Sequence, residues 1–206
     1  MNLPTKLTVL RLILIPVFVV LYFVQFPYHD VVAAGIFLIA SFTDFLDGYI
    51  ARKYNMVTDL GKFLDPLADK VLVMSALVLL SVEFMEFNVV TGIIVTVSTI
   101  IILAREFIIT GFRTIAVRKN VVLAADKIGK MKTVMQMISI IALLMTNFAF
   151  SFYPAPEAGS NAVFPIWGVV LLMVGLVALV FAVFLAVLSA FNYIIKNRAV
   201  LKEDNK

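Results

Sequence analysis

Two stretches of this chain carry no charged residue at all, positions 133–156 and positions 158–195. Crossing the hydrocarbon layer takes roughly 20 apolar residues in a helix, and each stretch is long enough. A helix that is apolar on every side needs apolar surroundings on every side. Composition says the same of the whole: 63% of the 206 residues are hydrophobic, 15% are charged, and the mean hydropathy is +1.07. Soluble domains carry about a quarter charged residues. Soluble and disordered chains are therefore excluded, and a bilayer is the solvent for most of this one.

Six apolar segments are legible, at about 7–27 (interrupted by Arg11 and Pro16), 31–52, 62–83, 88–115, 129–152 and 164–195. They predict an all-α integral membrane protein with six transmembrane helices in a single domain, 1–206. Six spans return both termini to one side. With the N-terminus in the cytoplasm, the outer connections 28–30, 84–87 and 153–163 contain no Lys or Arg, and all 17 basic residues fall inside. That is the charge asymmetry cytoplasmic loops carry. Asp30, Glu83, Glu86 and Glu157 then lie at the outer face, with Tyr22, Tyr28, Tyr153 and Trp167 as interface anchors. The N-terminus has no small-residue cleavage site and reads as retained. No internal repeat is visible.

The inventory of chemistry is short. There is no cysteine, and His29 is the one histidine. Disulfides, thiolate nucleophiles and multi-histidine zinc sites are excluded. His29 falls in an outer turn and reads as simply solvated. Carboxylates, hydroxyls, amides, Lys and Arg remain. The net charge of +4 fits an anionic lipid surface or an anionic substrate.

The second and third segments differ from the others. Their uncharged stretches, 31–43 and 71–82, are short, and each continues into charged residues at helical spacing. At about 100° per residue, Asp44, Asp47, Gly48 and Ala51 share one arc of the second helix. Gly61, Asp65, Ala68 and Asp69 share an arc of the third. A short loop makes the two helices antiparallel neighbours, so four carboxylates gather near the cytoplasmic boundary among small residues. Four like charges in a partly dehydrated site cannot all ionise unaided. They take up protons or hold cations, and an oxygen-only cage suits Mg²⁺ or Mn²⁺. Two metals sharing carboxylates is an arrangement used for phosphoryl chemistry.

Blander roles stand beside this one. Asp65 before Pro66 has the form of a helix N-cap with proline at the first helical position, and Thr58 or Asp59 could cap the same helix earlier. Asp44 and Asp47 could pair with Arg52 or Lys53. Ionisable groups inside a membrane are nonetheless functional candidates by default.

The string D-x₂-D-G-x₂-A-R-x₈-G-x₃-D-x₃-D, from Asp44 to Asp69, resembles the signature of the CDP-alcohol phosphotransferases at every defined position. The resemblance implies transfer of a phosphoalcohol from a CDP-linked donor to an alcohol with release of CMP. It implies a homodimer of six-helix protomers, each with a cavity facing the cytoplasm. Asp44, Asp47, Asp65 and Asp69 would hold two divalent metals, Mg or Mn, with Asp69 also the general base. Gly48, Ala51, Arg52, Thr58 and Gly61 would receive the CDP-lipid. Gly48 and Ala51 permit close approach, and Arg52 can pair with phosphate oxygens. An unperturbed aspartate is a weak base at neutral pH, so metal-assisted acidification of the attacking hydroxyl must carry part of the work.

Three further segments, from Asn2 to Arg11, from Ala104 to Arg113 and from Ile128 to Gln136, are similar to the bacterial branch of that family that makes phosphatidylglycerophosphate. Its substrates are CDP-diacylglycerol and sn-glycerol 3-phosphate. The partners so implied are those two molecules and membrane lipids, with no nucleic acid, at the cytoplasmic face of a bacterial cell membrane. A phosphorylated acceptor needs a basic pocket. Arg105 and Arg113 lie in the fourth segment, and the loop after it carries Arg118, Lys119, Lys127, Lys130 and Lys132. Arg113 and Arg118, then Lys130 and Arg105, are the candidates for the acceptor phosphate. Juxtamembrane basic residues also snorkel or bind headgroups, and Arg105 could pair with Glu106 or a motif aspartate. The rivals are the same chemistry on serine, inositol phosphate or a phospholipid, and a divalent-cation transporter using the aspartates as its path. Gly168 and Gly175 read as helix-packing positions.

Overall fold

A computed structural model describes residues 2–24, 26, 28–54, 59–119, 121, 127–151 and 165–198. Six α-helices follow one another: α1 (Leu3–Phe23), α2 (His29–Tyr54), α3 (Asp59–Phe87), α4 (Val89–Arg118), α5 (Lys127–Ser151) and α6 (Ile166–Lys196). Among the described residues there is no strand. Four helical stretches are long and apolar enough to cross a membrane: Thr5–Phe23, Val89–Val117, Ile128–Phe150 and Ile166–Lys196. Both α2, with 26 residues, and α3, with 29, have the length, but their acidic and basic residues dilute the apolar character.

The helices are inside-out relative to a soluble bundle. Large apolar side chains face outward, for instance Val177, Val180, Phe184 and Phe191 on α6. In water that face would be an association hazard; in lipid it is the solvated surface. Hydroxyls turn inward and find backbone partners, as groups cut off from water must. Thr146 Oγ1 donates to the Ala142 carbonyl (2.9 Å), and Ser139 Oγ donates to that of Gly175 (2.8 Å).

The chain divides into two units. The first comprises Met1–Leu80 with Ile140–Val174. Within it, α1 packs along α2, where Phe18 meets Phe37 with ring centroids 5.9 Å apart. Ala33, Ala34 and Ala40 are buried and keep the approach close. Gly168, expected at a helix contact, lies against Phe150, and a Cβ there would sit 2.6 Å from that ring. The second unit comprises Ser81–Ser139 with Gly175–Lys206. Its core includes Ile109, Phe112, Ala116 and Tyr193, and Ser81 and Thr99 share a buried hydroxyl pair at 3.1 Å.

Three expectations are corrected here. The connection expected over 84–87 is helical; α3 runs to Phe87 and only Asn88 separates it from α4. The Asn88 Oδ1 accepts the N–H groups of Val90 (2.9 Å) and Thr91 (3.3 Å) and so caps α4. Gly92 makes this turn possible, because a Cβ there would fall 2.5 Å from the Met85 Cα. Pro66 does not open a helix behind an Asp65 cap. It lies inside α3, which starts at Asp59, so the helix lacks one backbone donor there. His29 is not simply solvated. It is partly buried beside Phe26, with Nδ1 3.3 Å from the Asp30 carboxylate. Burial raises the Asp30 carboxyl above its ordinary range, and the His29 charge partly offsets this.

Candidate active site

The acidic face of α2 is met by α1. Thr5, Thr8, Arg11, Ile15 and Phe18 are all buried. Their spacing of three and four residues draws one stripe down α1, polar at its start and apolar further on. Arg11 is fully buried. Its Nη2 donates to Asp47 Oδ2 at 2.5 Å, and its Nη1 lies 2.7 Å from Asp44 Oδ1. Thr8 Oγ1 reaches the same Asp47 oxygen at 3.5 Å. Asp47 is buried, whereas the Asp44 side chain is 42% exposed. One guanidinium thus spans two carboxylates a helical turn apart, one enclosed and one facing open space.

In the sequence Arg11 reads as an interruption of an apolar run, with Arg52 or Lys53 as partners for these aspartates. A buried partner comes from α1. Lys53 Nζ lies over the Tyr54 ring, 5.7 Å from its centroid. On α3, Ala68 is buried and Asp69 exposed. Thr58 lies outside the described residues, as do the side chains of Gly48, Ala51, Arg52, Gly61 and Asp65. Among the described residues no three metal-binding side chains gather in one place.

The donor chemistry of the described part fits a hard divalent cation. Asp44 and Asp47 are oxygen donors only, and they already share a cation. A carboxylate has about four lone-pair sites, so one bond each to Arg11 does not exhaust them.

The basic candidates sit in the second unit. Arg105 Nη1 pairs with Glu106 Oε1 (2.9 Å) and its Nη2 donates to Ser189 Oγ (2.8 Å). Lys132 Nζ donates to the same Glu106 oxygen at 2.7 Å. Lys132 was expected in a loop with Lys127 and Lys130. All three belong to α5, and Lys132 is buried. The spacing Lys132, Gln136, Ser139, all buried, marks an inward stripe that sequence reasoning missed. Gly129 lies beside the Arg105 guanidinium; a Cβ there would make van der Waals contact with Nη2 at 3.4 Å. Arg113 Nε donates to the Tyr193 hydroxyl (3.2 Å) and its guanidinium lies 5.5 Å from that ring's centroid. Lys130 is exposed on α5; Arg118 ends α4, its side chain outside those described.

The first unit thus holds two carboxylates clamped by a buried arginine, and the second holds Arg105 and Lys132 paired with Glu106. The family model for CDP-alcohol phosphatidyltransferase matches residues 1–193, so the chain belongs to that family. It is 38% identical to the CDP-diacylglycerol–glycerol-3-phosphate 3-phosphatidyltransferase of Bacillus subtilis (strain 168), over 99% of both chains. It is 35% identical to the protein of that name in Rickettsia bellii (strain RML369-C), over 93% of both chains. With the one in Salmonella paratyphi A (strain ATCC 9150 / SARB42) it shares 42% identity over 69% of this chain and 76% of the relative.

Proposed function

We propose that this chain transfers a phosphatidyl group from CDP-diacylglycerol to sn-glycerol 3-phosphate, giving phosphatidylglycerophosphate and CMP. The observation that carries the reading is the pair Asp44 and Asp47, gathered under Arg11 within a motif complete to Asp69. The names of the relatives point to the same donor and acceptor. Asp44, Asp47, Asp65 and Asp69 would hold two divalent ions, Mg²⁺ or Mn²⁺. When bound, such ions neutralise the donor diphosphate and stabilise CMP as it leaves.

The chain's own residues do the rest. Gly48, Ala51, Thr58 and Gly61 leave room for the cytidine diphosphate, and Arg52 pairs with its phosphate oxygens. A hydroxyl oxygen of the acceptor attacks the phosphorus that bears the diacylglycerol. The bond from that phosphorus to the CMP oxygen breaks, and Asp69 takes the hydroxyl proton. Arg113, Arg118, Lys130 and Arg105 hold the acceptor's phosphate. In this reading the chain has six spans in a bacterial cell membrane, as a homodimer, with the termini and the site cytoplasmic. All 17 basic residues lie on the inner side in that arrangement.

The test is CMP release by purified protein given CDP-diacylglycerol and Mg²⁺ with glycerol 3-phosphate, serine or inositol phosphate in parallel. Release with glycerol 3-phosphate alone is expected. Release with another acceptor would reassign the alcohol. No release with any, and no nucleotide-dependent thermal stabilisation in Mg²⁺, would favour the transporter reading.

A further inference from the structure

We propose that Arg11 is the positioning residue of the carboxylate site, a clamp that neutralises Asp44 and Asp47 and fixes their orientation before a metal arrives. The inference rests on the divalent-metal reading above. Its ground is the geometry of α1 on α2: a fully buried guanidinium, Nη2 at 2.5 Å from Asp47 and Nη1 at 2.7 Å from Asp44. Thr8 adds a hydroxyl to the same Asp47 oxygen, 3.5 Å away.

The physical case has two parts. A buried carboxylate such as Asp47 needs a counter-charge, or the fold carries an uncompensated anion. A planar guanidinium also offers donors in a rigid fork, so it holds two carboxylates at a set separation; an ammonium cannot. Groups that hydrogen-bond a metal's ligands orient them, and losing such a group typically costs about 10–100-fold in metal affinity. Arg11 stands in that relation to Asp44 and Asp47. Its positive charge opposes a second cation, but Arg11 meets only Oδ1 of Asp44 and Oδ2 of Asp47, and a carboxylate has about four lone-pair sites. Orientation therefore outweighs repulsion in this account.

The experiment measures Mn²⁺ affinity by EPR titration of purified metal-free protein: wild type, Arg11→Lys and Arg11→Met. Both variants are expected to bind at least about 10-fold more weakly. Unchanged or tighter binding by Arg11→Met would overturn the clamp and make Arg11 a competitor of the metal. Full affinity in Arg11→Lys would show that charge alone suffices and would overturn the forked geometry. Absence of Mn²⁺ binding by the wild type would defeat the metal reading itself, a distinguishable failure.

A second measurement stands apart from metal. The melting temperature of the metal-free protein should fall in Arg11→Met and recover in Arg11→Met/Asp47→Asn, because the lone anion has gone. No recovery would mean that Arg11 serves packing only. If Arg11→Met does not fold, the Arg11→Lys titration decides the question: weaker Mn²⁺ binding supports the clamp and full affinity overturns it.

Discussion

Replacing Glu106 by Gln should destabilise the second unit substantially. Glu106 Oε1 sits 2.7 Å from Lys132 Nζ and 2.9 Å from Arg105 Nη1. Lys132 is 4% exposed and the Glu106 side chain 19%. Breaking a buried ion pair by removing one partner costs about 3–5 kcal/mol, because the remaining charge stays buried. Partial exposure of Glu106 and the oxygen retained by Gln place the change near the lower end, about 3 kcal/mol. For a chain of this length, 1 kcal/mol moves the melting temperature by about 2–4 °C. The expected loss is therefore roughly 6–12 °C in detergent. Lys132→Met should also lower it. The double variant Glu106→Gln/Lys132→Met should lose clearly less than the two single losses added, since Lys132 is then not left as a buried charge and only Arg105, which keeps Ser189, loses its carboxylate. A shift under about 2 °C for Glu106→Gln, or losses that simply add, would refute the reasoning.

Three further outcomes are expected. Removing charge at Arg113 and Arg118 together should raise the glycerol 3-phosphate KM at least about 10-fold, with the CDP-lipid KM unchanged, since a charged hydrogen bond contributes about 1.5–3 kcal/mol; initial-rate kinetics on both substrates read this. Asn88→Ala removes the α4 cap and should cost about 1 kcal/mol, while Gly92→Ala forces a Cβ onto Met85 and should lower the melting temperature further. Asp69→Asn should lose most turnover, read as CMP release; near wild-type turnover would remove Asp69 from the role of base.

Much of the architecture was legible because charge-free runs leave a helix no other environment. The ends were less so. The apolar segments 62–83 and 88–115 leave a connection over 84–87, but helical backbone continues through Glu86 to Phe87. The stronger signal was Asn88 with Thr91 three residues on, a capping pattern. Pro66 has the form of a helix start, one alternative beside an earlier cap at Thr58 or Asp59, but α3 begins about two turns before it, at Asp59.

At the candidate site, helical spacing alone placed Asp44 and Asp47 on one face. Their partner was not legible. Arg11 lies 36 positions from Asp47, and the register of α1 against α2 depends on packing that one sequence does not display. The stripe of Thr5, Thr8, Arg11, Ile15 and Phe18 was the available signal: a charge in register with the inward face of an apolar helix needs a buried counter-charge. Lys132 was misplaced for a related reason. Basic residues near a membrane edge usually reach outward, but Gln136 and Ser139 continue its face inward.

The proposed function requires that aspartates of α2 and α3 hold a pair of divalent ions for CDP-lipid chemistry. Mn²⁺ EPR on purified protein, with and without CDP-diacylglycerol, tests it most directly. The account predicts two ions per chain with a spin-coupled spectrum, reduced to one or none in Asp44→Asn and Asp65→Asn. A wild-type chain that binds no ion, or a single ion unaffected by either substitution, would contradict it.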